Sequence, residues 1–181
     1  MARGTFFLIV GPSGAGKDSL IRGAASALSR ESSYVFARRT ITREADRARE
    51  SHEGVAESEF AALKRAGKFM LAWNVYETDY GIPASYNDDL EAGRHVVANV
   101  SRSIVGDAVA HFRPACVIQI TAPEAVLENR LKVRDVGRFE ERMARTVILP
   151  DGISVNHLLN MADIETGVAR LVDMLKNLAK T

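Results

Sequence analysis

The chain has 181 residues, of which 46% are hydrophobic and 26% are charged, and its formal net charge is +1. This length fits one folded domain, and the near balance of charge argues against nucleic-acid binding through bulk electrostatics. The single cysteine excludes an internal disulfide, and the apolar run from Phe6 to Val10 is too short to span a membrane. We therefore expect a cytoplasmic protein, a monomer or homodimer, with no nucleic-acid or membrane partner.

The first predicted elements are a strand and a helix on either side of a glycine-rich loop. Residues 5–10 are continuously apolar and β-rich, as in a strand buried on both faces of a parallel sheet. Residues 18–28 place their apolar side chains on one helical face. A short strand is predicted at 34–37, whereas the polar, arginine-rich residues 38–55 are predicted to form irregular surface structure.

The rest of the chain alternates predicted helices and strands. The helices are expected at 58–64, 84–92, 104–112, 124–133, 139–145 and 163–178, with Gly67 and Gly93 ending the first two. A strand pair is expected within 69–76, a turn at 80–83, and single strands at 95–100 and 115–120. This alternation indicates an α/β fold with a mainly parallel central sheet flanked by helices.

The loop after the first strand has the pattern Gly-x-x-x-x-Gly-Lys. Its residues are Gly11, Pro12, Ser13, Gly14, Ala15, Gly16 and Lys17. Glycines let successive backbone amides converge on phosphate oxygens, and the following helix contributes the positive end of its dipole. A corner that merely needs glycine is the alternative. The buried strand before the loop and the amphipathic helix after it favour ATP-phosphate binding, with Lys17 as a catalytic residue at the β- and γ-phosphates.

The position after Lys17 departs from the usual pattern, in which a Ser or Thr hydroxyl binds Mg²⁺. Here the residue is Asp18, followed by Ser19. A carboxylate is a good ligand for Mg²⁺, so Asp18 is predicted to bind the metal directly or through water, or else to cap the helix. Ser19 is a candidate contact for the α-phosphate. ATP and Mg²⁺ are the expected cofactors.

Candidate acceptor-binding residues follow the second predicted strand. Arg39 and Arg43 flank Thr42, and guanidinium groups beside a hydroxyl suit phosphate binding. A solvated basic loop is the alternative, but strand ends of a parallel sheet face one crevice, which favours a binding site. Tyr80 is a further candidate contact. His52 is either a phosphate or sugar contact or a surface residue.

A second cluster of arginines lies within residues 130–145. We expect this segment to form a lid over ATP, in which Arg134 and Arg138 act as catalytic residues by supplying positive charge to the transferring phosphoryl group. The alternative is that these arginines are balanced by acidic neighbours on exposed helix faces.

Several short motifs occur in the order typical of the guanylate-kinase-like branch of the P-loop nucleoside monophosphate kinases. They are residues 11–17, Thr42-Arg43, Ser58-Glu59-Phe60, Tyr80-Gly81-Ile82-Pro83 and residues 90–97. The chain resembles this family over residues 5–178. The resemblance implies a P-loop NTPase fold, a single kinase domain over residues 1–181. Its core would be residues 5–37 and 95–181, its acceptor-binding insert residues 38–94 and its lid residues 130–145.

Within that branch the chain is most similar to the ribose 1,5-bisphosphate phosphokinases. Asp18-Ser19, Arg39-Thr40-Ile41-Thr42-Arg43 and Asn99-Val100-Ser101-Arg102 are typical of that group. The resemblance implies ATP-dependent phosphorylation of ribose 1,5-bisphosphate to 5-phosphoribosyl 1-diphosphate in phosphonate catabolism. It makes a phosphorylated sugar the expected small-molecule substrate, and Asn99, Ser101 and Arg102 additional substrate-binding residues.

Two other functions stay open. The first is a guanylate or other nucleoside monophosphate kinase, although Leu71-Ala72 and Asn99-Val100-Ser101-Arg102 stand where guanylate kinases carry guanine-binding carboxylates. The second is a non-catalytic protein-binding module on the guanylate kinase fold. Such modules usually lose the phosphate loop, which is intact here.

Overall fold

A computed structural model describes residues 2–42, 52–127, 149–161 and 163–179. Four sequence predictions lie outside these residues: Arg43, Arg134, Arg138 and the helix at 139–145. The predicted lid therefore stays a prediction.

The described residues form strands and helices that alternate along most of the chain. The strands are β1 (Phe6–Val10), β2 (Tyr34–Phe36), β3 (Arg39–Ile41), β4 (His52–Gly54), β5 (Phe69–Val75), β6 (Thr78–Pro83), β7 (His95–Asn99), β8 (Ala115–Thr121) and β9 (Val155–Leu159). The helices are α1 (Lys17–Ala27), α2 (Glu57–Arg65), α3 (Ser85–Glu91), α4 (Val105–His111) and α5 (Ile164–Leu178). Residues 124–127 are also helical, which is the described part of the helix expected at 124–133.

The central sheet has the strand order β2-β7-β1-β8-β9, and every pairing in it is parallel. Its middle strand β1 is fully buried, because apolar layers cover both faces of the sheet. Phe6, Leu8 and Val10 pack into the layer that contains Trp73, and Phe7 and Ile9 pack beneath α1 and α5. The α/β fold with a parallel central sheet is confirmed.

A second, four-stranded sheet has the order β4-β3-β6-β5. It corrects two expectations: residues 38–55 include strands β3 and β4 instead of being wholly irregular, and residues 80–83 belong to β6 instead of a turn. These strands are short or polar, so their sequence lacks a continuous apolar run, and pairing with neighbouring strands stabilises them. A further expectation, a strand pair within residues 69–76, is wrong as well: these residues form the single strand β5, and its antiparallel partner is β6.

The remaining boundaries agree with the sequence to within one or two residues, with one omission. Gly67 and Gly93 follow α2 and α3 with φ of 65° and 82°, as expected for glycines that end helices. Strand β9 was not predicted, because Asn156 and His157 interrupt its apolar residues. Its parallel pairing with β8 places the end of β9 beside the phosphate loop.

Candidate active site

The predicted phosphate loop is folded against the end of β8. Gly11, Gly14 and Gly16 have φ of 145°, 82° and 86°, values that glycine adopts without strain. A Cβ atom on Gly11 would lie 2.0 Å from the carbonyl oxygen of Ile120, so a side chain has no room there. The Nζ of Lys17 donates to the carbonyl oxygens of Gly11 at 2.9 Å and Pro12 at 2.8 Å. The ammonium group is thus held over the loop at the start of α1.

Asn160, which the sequence did not point to, is hydrogen-bonded to the phosphate loop. Asn160, which directly follows β9, is only 2% exposed, and its Nδ2 donates to the carbonyl oxygen of Ala15 at 2.8 Å. Its own backbone N–H donates to the carbonyl oxygen of Thr121 at 2.7 Å. No sequence signal could have found this contact, because it depends on the unpredicted pairing of β9 with β8.

Asp18 lies in the first turn of α1, between the loop and the neighbouring strand. Its Oδ1 accepts a hydrogen bond from Nδ2 of Asn99 at 2.7 Å and lies 3.4 Å from Nη2 of Arg39. The N-cap residue, directly before α1, is Gly16, and the helix has no side-chain cap, so the capping role considered for Asp18 is wrong. The side chain of Asp18 is 38% exposed, which leaves room for a ligand beside it.

Arg39 joins this carboxylate to the second sheet. Its guanidinium carbon lies 5.7 Å from the centre of the Tyr80 ring, a cation–π distance. The Tyr80 ring in turn stacks on Trp73, with ring centres 5.5 Å apart and planes 7° apart. The structure therefore brings Arg39 and Tyr80 together with Asp18, as the prediction of one shared crevice requires.

The other predicted acceptor residues have local contacts of their own. Thr42 Oγ1 accepts from the backbone N–H of Asp79 at 2.8 Å, which ties the end of β3 to β6. His52 is 1% exposed, so it is not the surface residue that the sequence allowed as an alternative. Ser101 Oγ accepts from the backbone N–H of Ser103 at 3.3 Å, at the start of a short 3-10 turn.

Two further predicted residues lie on the elements that follow β1 and β7. Arg102 is the first residue of the 3-10 turn that follows β7. Ser19 is exposed in the first turn of α1. Both lie at the carboxyl ends of the central strands β1 and β7, on the side of the sheet where the loop lies.

Comparison with known proteins decides the family. No protein-family profile matches the chain. Over 131 residues the chain is 50% identical to the ribose 1,5-bisphosphate phosphokinase PhnN of Acidiphilium cryptum, covering 72% of this chain and 69% of that protein. It is 39% identical over 158 residues to the PhnN of Rhodopseudomonas palustris, covering 86% of this chain and 81% of that protein. The chain belongs to the ribose 1,5-bisphosphate phosphokinase family.

Other family members are longer. The chain is 43% identical over 184 residues to a bifunctional ribose 1,5-bisphosphokinase-thymidine phosphorylase of Cupriavidus necator, and it spans only 30% of that protein's length. Among solved structures, a guanylate kinase from Anaplasma phagocytophilum superposes with a TM-score of 0.73 at 17% identity, over 99% of this chain and 88% of that one. This likeness concerns the fold and confirms the expected P-loop NTPase architecture.

Within this phosphokinase fold, the described residues offer a site that suits Mg²⁺. Mg²⁺ is usually held by one or two carboxylates together with substrate phosphates and water, not by a cage of protein ligands. Asp18 is a partly exposed carboxylate beside the phosphate loop, and the amide of Asn99 holds one of its oxygens in place. This donor set fits a nucleotide-bound Mg²⁺. None of the described helices is both long and apolar enough to cross a membrane.

Proposed function

We propose that this chain transfers the γ-phosphoryl group of ATP to the anomeric phosphate of ribose 1,5-bisphosphate, giving 5-phosphoribosyl 1-diphosphate and ADP. The observation that carries the proposal is the contact between Arg39 and Asp18 at 3.4 Å. It joins the phosphate loop to a guanidinium group on the second sheet, so that a donor and an acceptor phosphate would meet at one place. The names of the PhnN relatives support this choice of acceptor.

The chemistry needs alignment and charge neutralisation more than proton transfer. An oxygen of the acceptor phosphate attacks the γ-phosphorus, a new O–P bond forms, and the bond to the bridging β–γ oxygen breaks to release ADP. Because that oxygen is already ionised near neutral pH, no general base is required. Bound Mg²⁺ would supply positive charge to the nucleotide phosphates.

Residues of the loop and the second sheet would then align the two substrates. The loop amides and Lys17 would hold the β- and γ-phosphates, and Arg39 with Tyr80 would hold the acceptor. Arg134 and Arg138 of the predicted lid are the candidates for further charge neutralisation during transfer. Ser19, Thr42, Arg43, His52, Ser101 and Arg102 stay predicted nucleotide or substrate contacts.

The preference for a sugar over guanine follows from what surrounds the second sheet. Leu71 is 7% exposed and packs in the apolar core, and Ala72 lies opposite Gly81 on β6. Neither side chain can accept hydrogen bonds from the N–H groups of guanine, and a buried base without such partners binds poorly.

We also propose the cytoplasm as the compartment, a monomer or homodimer as the active form, and residues 38–94 as the acceptor-binding insert.

The test is ADP release from ATP and Mg²⁺ with ribose 1,5-bisphosphate or GMP as the acceptor. We expect turnover with the sugar bisphosphate and none above background with GMP. Lys17→Ala should lower that turnover by at least ~10²-fold, because it removes a charged donor from the phosphates. Lys64→Ala, on the exposed face of α2, is the matched control and should leave turnover unchanged.

The outcomes separate the rival functions. Turnover with GMP alone would contradict the proposed acceptor and favour a nucleoside monophosphate kinase. Turnover with neither acceptor would contradict the proposed catalysis and favour a protein-binding module. Full activity of Lys17→Ala would overturn the assignment of the phosphate loop.

A further inference from the structure

Asp18 and Asn99 form a hydrogen-bonded pair at the place where P-loop NTPases hold Mg²⁺. In those proteins the loop supplies a Ser or Thr hydroxyl and a separate aspartate supplies the carboxylate. Here the loop position carries the carboxylate, and the end of the neighbouring strand β7 carries a neutral amide. One carboxylate and one neutral polar group are present in both arrangements, but their positions are exchanged.

The sheet fixes Asn99 beside the loop. Asn99 lies opposite Ile9 in the parallel pairing of β7 with β1, and β1 leads directly into the loop. The next residue, Val100, donates its backbone N–H to the carbonyl oxygen of Ile9 at 3.0 Å, which keeps the two strand ends together. Asn99 is 8% exposed, so its amide N–H needs a protein partner, and Asp18 Oδ1 is that partner at 2.7 Å.

We propose that the metal-binding pair of this site is transposed: Asp18 supplies the carboxylate to nucleotide-bound Mg²⁺, and Asn99 is the positioning residue that orients it. This inference rests on the proposed function only in that the site must bind a nucleotide together with Mg²⁺. It does not depend on which acceptor is phosphorylated. Asn99 donates to Oδ1, on which Arg39 also converges at 3.4 Å. Holding one oxygen in this way fixes the plane of the carboxylate while 38% of the side chain stays exposed for the metal.

Exchange of the two residues gives a sharp test, because the pair should work in either order. Asp18→Ser alone leaves the site with an amide and a hydroxyl and no negative charge. Asp18→Ser combined with Asn99→Asp restores one carboxylate and one neutral group in the usual arrangement. Asn99→Ala keeps the charge of Asp18 but removes the hydrogen bond that orients it.

The experiment is calorimetric titration of ADP with each protein, in Mg²⁺ and in a chelator, so that the ratio of the two affinities reports metal coordination. We expect Asp18→Ser to lower this ratio at least tenfold, Asn99→Ala to lower it severalfold, and the double exchange to recover most of the loss. Asn74→Ala is the matched control, since its amide also donates to a carboxylate, that of Asp79 at 2.9 Å, outside the site. It should leave the ratio unchanged.

Two results would overturn the proposal. The first is a parental ratio retained in Asp18→Ser, which would mean that Asp18 does not serve the metal. The second is a double exchange that folds, by circular dichroism, but binds no better than Asp18→Ser. If the double exchange does not fold, Asp18→Asn decides by itself, since it preserves size and removes only the charge: a retained ratio refutes the proposal and a lost ratio supports it. Because no acceptor is present, these results stand apart from the test of sugar phosphorylation.

Discussion

The side chain of Asn160 should fix the phosphate loop through one buried hydrogen bond, and Asn160→Asp tests that bond with almost no change in size. The substitution replaces the Nδ2 donor by an oxygen, which then faces the carbonyl oxygen of Ala15 at the former distance of 2.8 Å. Asn160 is 2% exposed, so water cannot readily take over the lost bond. Only a protonated carboxyl group could again donate to Ala15.

The magnitude follows from this geometry. A buried acceptor left without its donor costs about 1–3 kcal/mol. Because protonation relieves this cost, burial should raise the pKa of the introduced carboxyl group above its usual ~3.9. Each unit by which the pKa rises corresponds to about 1.4 kcal/mol of difference between the two protonation states. A folded-state pKa above the unfolded value means that stability falls as pH rises. The deficit relative to the parent protein should thus grow from pH 4 and level off above the raised pKa.

The assay is urea denaturation of the parent and variant from pH 4 to pH 8, followed by the fluorescence of Trp73, the single tryptophan. ADP affinity should fall along with stability, because the loop loses its support. The control is Asn156→Asp on the same β9 strand, whose amide donates to the carbonyl oxygen of Val117 at a longer 3.3 Å and is only partly buried. A deficit in Asn160→Asp no larger than in this control, with no dependence on pH, would refute the reasoning.

Two further substitutions test the loop and the last helix. Gly11→Ala should abolish ADP binding and destabilise the fold, because the added Cβ would lie 2.0 Å from the carbonyl oxygen of Ile120. Gly67→Ala has no atom within 4 Å of the added Cβ, so it should lower the free energy of unfolding only by the about 1–2 kcal/mol that a positive φ costs a residue with a side chain. Equal effects of the two substitutions in calorimetric and denaturation assays would contradict this. Asp163→Ala should lower the thermal midpoint at pH 7, because Asp163 caps α5. A hydrogen bond from the side chain of Thr166, together with those from the backbone N–H groups of Thr166 and Glu165, lowers the pKa of the Asp163 carboxyl group. The stabilisation by this carboxylate is present above its unfolded-state pKa and is lost as the pH falls through its lowered folded-state pKa. The difference in thermal midpoint between variant and parent should therefore vanish in acid. A difference in midpoint that persists in acid would exclude the cap as its cause.

Local sequence was enough to predict the central fold and the phosphate loop. The apolar run of β1, the glycine pattern and the amphipathic α1 are neighbours along the chain, and each has its own characteristic spacing. The family followed from the same kind of short motif. The strands β3, β4, β6 and β9 were not predicted, because they are short or polar and depend on pairing with strands elsewhere in the chain.

The sequence by itself determined which residues are the candidates for phosphate binding: the glycines of the loop, Lys17, and a carboxylate in the place of a hydroxyl. Only the tertiary structure decided which side chains surround them. Asn99 meets Asp18 across 81 positions of the chain, and Asn160 meets Ala15 across 145. Such contacts arise from the spatial order of the parallel strands in the sheet. That order places strand ends that are distant along the chain side by side at one edge of the sheet.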